Sequence, residues 1–192
     1  MTDINEVSAA IKALQSGGIS QRRGAAKLLG QMLESKAIKP LIQALEDNDT
    51  GVIQKSMDAL TKFGKVAVDL LLEALKNPNG AVRWRTIEIL GQIGDDRAIG
   101  PICRALKEDK SYYVRCTTIE ILQKYGITAI GSITEATKDQ DWNVRWKAVK
   151  ALESIGDSSS IEPLSLCKYD ESRFVREAAL KAIETISRKS PA

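Results

Sequence analysis

The chain has 192 residues, 43% of them hydrophobic and 28% charged, with a net charge of +3. This balance suits a chain with a sizeable buried core, and it lacks both an apolar run long enough to span a membrane and the basic excess of a dedicated nucleic-acid binder. The sequence holds no histidine, which removes the commonest general base and metal ligand and every Ser-His or Cys-His nucleophile arrangement; no metal site and no cofactor are expected.

The first segment, MTDINEVSAA, carries early acids and no apolar signal core, so secretion is not expected. Three cysteines at 103, 116 and 167 are odd in number and lack metal-type spacing, which suits a reducing cytoplasm. A helical pattern opens at INEVSAAIKALQS (4–16) and returns as KAIKPLIQALED (36–47), KVAVDLLLEALKN (65–77), RAIGPICRALKED (97–109), ITAIGSITEATKD (127–139) and SSIEPLSLCKYD (159–170). Between these lies a second pattern, seen best in AVRWRTIEILGQIG (81–94). Its leading pair recurs as Gln21-Arg22, Val52-Ile53, Val82-Arg83, Val114-Arg115, Val144-Arg145 and Val175-Arg176, at offsets of 31, 30, 32, 30 and 31. A fixed period of this size marks a stack of repeats sharing one continuous core.

Pro40, Pro101 and Pro163 fall in the first turn of the first pattern, where a missing N–H costs nothing. Gly64, Gly94, Gly126 and Gly156 end the second, where a left-handed residue is wanted. Val82, Thr86, Ile89, Leu90 and Ile93 cluster as a buried stripe, with Trp84, Glu88 and Gln92 opposite and Arg83 and Ile87 on the flank that a neighbouring repeat covers. Gly30 and Gly91, inside helices, imply close helix–helix approach. The expectation is an all-α, right-handed α-solenoid of about six two-helix repeats of period about 31 residues. It forms one domain over 1–192, with units at 4–34, 35–64, 65–95, 96–126, 127–156 and 157–188.

The repeat x-V-R-x-x-A-x-x-A-L-G-x-I-G-D-x-R-A-I-x-P-L-x-x-A-L-x-D resembles the HEAT-like repeats named after phycobiliprotein lyases. Residues 81–109, AVRWRTIEILGQIGDDRAIGPICRALKED, follow it almost throughout. The first two units depart from it by losing Val-Arg, and unit five departs where AIGSITEAT replaces the usual apolar run. Arg83, Arg115, Arg145 and Arg176 each follow Asn77, Asp109, Asp139 and Asp170 by six residues. Such an acid can accept helix-start N–H groups and an arginine from an adjacent unit, and the resemblance implies a structural ladder of this kind.

In proteins with this repeat the second helix lines an inner, concave surface. Its outward columns here hold nine bases and four acids. Trp84 and Trp146 share one column two repeats apart, Arg85 and Lys147 the next, and Glu88 and Lys150 the one after, with Lys124 in the last. Tyr113, Trp142 and Phe174 precede the same helices. Exposed aromatics beside cations are the composition of an interaction hot spot. Cys116, in the tryptophan column, is expected to be exposed, whereas Cys103 and Cys167 are expected in the core.

The leading expectation is a monomeric, non-catalytic scaffold holding an acidic protein or peptide partner on that face through Trp84, Arg85, Glu88, Tyr113, Lys124, Trp142, Trp146, Lys147 and Lys150. One alternative is a nucleic-acid binder, since some HEAT-like alkylpurine glycosylases lay a basic face on DNA. The other, implied by the family resemblance, is a bilin lyase subunit or chaperone, because a tetrapyrrole needs aromatic walls and cations for its propionates. Lyase and glycosylase-like activities stay open. The di-iron hydroxylase chemistry of related solenoids fails without histidine.

Overall fold

The computed structural model describes residues 4–189. All regular structure among them is helical: α1 (Ile4–Ser16), α2 (Ile19–Met32), α3 (Ile38–Gln43), α4 (Thr50–Phe63), α5 (Val68–Ala74), α6 (Gly80–Ile93), α7 (Ile99–Glu108), α8 (Tyr112–Lys124), α9 (Ile130–Ala136), α10 (Trp142–Ile155), α11 (Ile161–Cys167) and α12 (Arg173–Lys189). No helix among the described residues is long and apolar enough to cross a membrane.

The chain divides into two compact units, Met1–Ala98 and Ile99–Ala192, where the sequence suggests a single array. In the first, α2, α4 and α6 pack side by side and each leans on its own first helix, α1, α3 or α5. The second repeats the plan, with α8, α10 and α12 packed successively over α7, α9 and α11. Each unit is therefore two layers of helices around one core.

The local chemistry explains the element ends. Asp49, Asn79 and Asp141 cap α4, α6 and α10 by accepting the Val52, Ala81 and Asn143 N–H groups. Each of α3, α5, α7, α9 and α11 is preceded by a 3-10 turn that the sequence period does not reveal. The turns close on Ala37, Ala67, Ala98, Ala129 and Ser160, all fully buried, so only a small side chain fits there. The apolar stripe of α6 is dry at Val82, Thr86, Ile89 and Leu90, and flanking Ile87 is equally buried under its neighbours.

Gly94 and Gly156 end their helices in the left-handed region, at φ 68° and 76°. In the first repeat Leu33 does the same work at φ 54°, a conformation that strains a side chain. Its side chain is half exposed and gives up little burial. Leu33→Gly is expected to stabilise the protein by about 1 kcal/mol, read from urea unfolding midpoints.

Arginines stitch successive repeats together. Arg145 donates from Nε and Nη2 to the two oxygens of Asp170 at 2.7 and 3.0 Å, and from Nη1 to the Asp139 carbonyl. Arg115 treats Asp139 and the Asp109 carbonyl in the same way, and Arg22 treats Asp47 and the Gly17 carbonyl. Arg83 and Arg176 make the matching Nη1 bonds to the Asn77 and Asp170 carbonyls. The acids accept a second time from the backbone. Asp47, Asp109, Asp139 and Asp170 take the N–H of Asp49, Ser111, Asp141 and Ser172, one residue before the helix starts.

These bonds depress carboxylate pKa values. Burial works against the Asp170 carboxylate, but hydrogen bonds from Arg145 and the Ser172 N–H outweigh it and hold the group below the usual range. Arg97 and its N–H hold Asp95 at about 2, and Arg23 holds Asp49 at about 2. Such groups take up protons more readily unfolded, so their contribution is complete above about pH 4 and is lost as pH falls through the folded values. The melting temperature is expected to stay level down to about pH 5 and to fall steeply between about pH 4 and 2. Asp95→Asn should make that acid limb shallower, by calorimetry.

Candidate functional site

The outward columns of the second helices carry the candidate residues, in two groups, one in each compact unit. In the first unit Trp84, Arg85 and Glu88 are half-buried on α6. The Arg85 guanidinium lies 5.1 Å from the Trp84 ring centroid, a cation–π distance. Its Nη1 donates to the Leu45 carbonyl of the preceding repeat. Burial, with no carboxylate to offset it, pushes the Arg85 guanidinium below its ordinary range.

In the second unit Trp142 and Phe174, at the starts of α10 and α12, stack with centroids 5.3 Å apart. Trp142 is 40% exposed and Trp146, one turn on, 38%. Tyr113 is 63% exposed, and its ring lies 4.0 Å from that of Tyr112. The hydrogen bond between these tyrosines, with desolvation, raises the Tyr112 phenol to about 12. Lys147 pairs with Glu120 from α8, Lys150 with the buried Glu153, and Lys124 stands exposed near the end of α8. Glu153 also accepts from the Thr185 hydroxyl at 3.4 Å. Of the nine bases counted along these columns, Lys147 and Lys150 are therefore neutralised locally.

The structure corrects two cysteines. Cys116 is buried, not exposed, and burial pushes its thiol up while Lys147 works the other way. The register of one helix cannot show that neighbouring helices close over this position. Cys103, expected in the core, is only half-buried. It lines a cleft of about 750 Å³ beside α7 and α9, with Arg104, Lys107, Glu135 and Asp139 on the walls. Charges of both signs alternate around that cleft, and no sequence signal pointed to it. Sequence reading also missed Asp95, a buried acid that bonds the Arg97 backbone and side chain while Arg97 reaches Asp69 at 2.8 Å. The string GDDR held that signal.

The sequence matches the family model described as HEAT repeats over residues 7–79, 68–129 and 101–184. It is 30% identical over 151 residues to the phycocyanobilin lyase subunit beta of Pseudanabaena tenuis, covering 70% of this chain and 51% of the relative. It is 28% identical over 184 residues to the phycobilisome maturation protein of Synechococcus elongatus, covering 95% and 79%. The chain thus spans about half the length of the lyase subunit. Among solved structures, the complex of CpcE and CpcF of phycocyanin lyase from Nostoc matches with a TM-score of 0.65 and 23% identity, over 78% of this chain and 99% of that one. This likeness shows the fold. The curated relatives correct the leading expectation from the sequence: they are named as a phycocyanobilin lyase subunit and a phycobilisome maturation protein, not as non-catalytic scaffolds of an acidic partner.

Proposed function

The chain belongs to the HEAT-repeat family, and on that premise we propose that it acts in bilin attachment, as a lyase subunit or as the chaperone that presents the pigment. The observation that carries this reading is the likeness to a phycocyanobilin lyase subunit and a phycobilisome maturation protein. The expectation that the chain is no enzyme loses its support for the same reason.

The residues suit the ligand. A bilin is a long conjugated chain with two propionates, so it needs flat apolar surface and cations. The Trp142–Phe174 stack, Trp146 and Tyr113 supply the first, and Lys124, exposed at the end of α8, supplies the second. Cys116 and Cys167 are buried with raised thiol pKa values, so neither is poised as a thiolate. In this reading the pigment's acceptor is a partner protein, and this chain's part is to hold and orient the bilin against it. The nucleic-acid alternative loses ground because Lys55, Lys147 and Lys150 are each paired with an acid, leaving fewer free cations for phosphate.

Titration with phycocyanobilin, followed by the pigment's absorbance, tests the reading. A saturable spectral shift is expected, and Trp142→Leu with Trp146→Leu should lower its amplitude at unchanged helicity. A flat spectrum with the parent chain would overturn the proposal.

A further inference from the structure

Three second helices carry a cation one residue after the outward tryptophan column: Lys55, Arg85 and Lys147. Lys55 meets Asp58 at 3.7 Å, and Lys147 meets Glu120. Arg85 meets no carboxylate among the described residues, and its Nε is buried without an acceptor.

The ladder arginines show what that edge of a guanidinium does in this fold. In Arg22, Arg115 and Arg145, Nη1 bonds a backbone carbonyl while Nε and Nη2 together grip both oxygens of an aspartate. Arg85 keeps the first half of this arrangement, Nη1 on the Leu45 carbonyl, and lacks the aspartate. A guanidinium taken part-way from water without a counter-ion is costly to keep. The planar Nε–Nη2 edge fits one class of anion best, a carboxylate taken with two parallel bonds. The indole of Trp84 beside it offers a flat π surface.

We propose that Trp84 and Arg85 form, within the first compact unit, a site of their own for a flat conjugated acid, with Arg85 gripping the carboxylate and Trp84 lying against the π system. The assignment rests on the bilin reading only in naming a bilin propionate as that acid.

The full chain is titrated with phycocyanobilin, with its dimethyl ester and with 2-naphthoate, reading pigment absorbance or tryptophan fluorescence. Arg85→Gln is expected to weaken the free acid and the naphthoate about tenfold or more and to leave the ester unchanged. Arg85→Lys should restore little, because an ammonium has no fork. Equal affinity of parent and Arg85→Gln for the free acid would overturn this site while leaving the bilin reading intact. Naphthoate bound through Arg85 with no pigment bound would overturn the bilin reading and keep the site. Should Arg85→Gln fold poorly, the parent decides alone, since an ester that binds as tightly as the acid also overturns the proposal.

Discussion

Arg145→Ala is expected to destabilise the protein by about 3–5 kcal/mol, or roughly 10 °C in Tm. The side chains of Arg145 and Asp170 are 8% and 9% exposed, and the pair is bidentate. Truncating the arginine leaves a buried carboxylate with only the Ser172 N–H, and it also strips a donor from the Asp139 and Gln140 carbonyls. Scanning calorimetry measures the loss. Arg173→Ala is the control, because its pair with Glu177 is solvent-exposed, screened by water and contributes little. Similar losses for both variants would refute the buried rung. In the double variant Arg145→Ala, Asp170→Ala the loss should fall well short of the two single losses added, since neither charge is then stranded.

Gly30→Ala is expected to cost roughly 2 kcal/mol, against the normal trend. In an open helix interior the same change gains about 1 kcal/mol. Here the added Cβ would stand 2.6 Å from the Ala59 Cβ and 2.8 Å from its Cα. The Cα belongs to the backbone of α4, so relief requires α2 and α4 to part. Urea unfolding midpoints give the sign directly, and a gain would show that the helices separate freely. Ala59→Gly in the same chain should recover part of the loss.

Some of this was legible without coordinates. The bounds of α1 follow from its apolar period and from Gly17-Gly18 behind it, and the close approach at Gly30 follows from a glycine where propensity disfavours one. Arg22 sits in register with the other ladder arginines, yet its pairing with Asp47 was overlooked because Gln21 stands where valine is usual. Charge was legible and its partnering was not: Lys147 and Glu120 lie 27 residues apart, on different helices. For Arg85 the informative feature is a missing partner, which one strand of letters cannot display. Cys116 failed for a related reason, since a helical wheel shows one helix and burial depends on its neighbours.

The direction of the ladder has a genetic consequence. Each rung runs forward, from an arginine in one second helix to an aspartate in the loop before the next. A segment of one period taken from 110–170 therefore carries a donor and an acceptor, whereas one that takes in Ile53 and Asn77 at the two ladder positions carries neither. In-frame duplication of a segment that carries both closes its new junctions with the same bonds, whereas an insertion of half that length presents an arginine to a first helix and strands its charge. Gain or loss of length in relatives is accordingly expected in steps of about 31 residues.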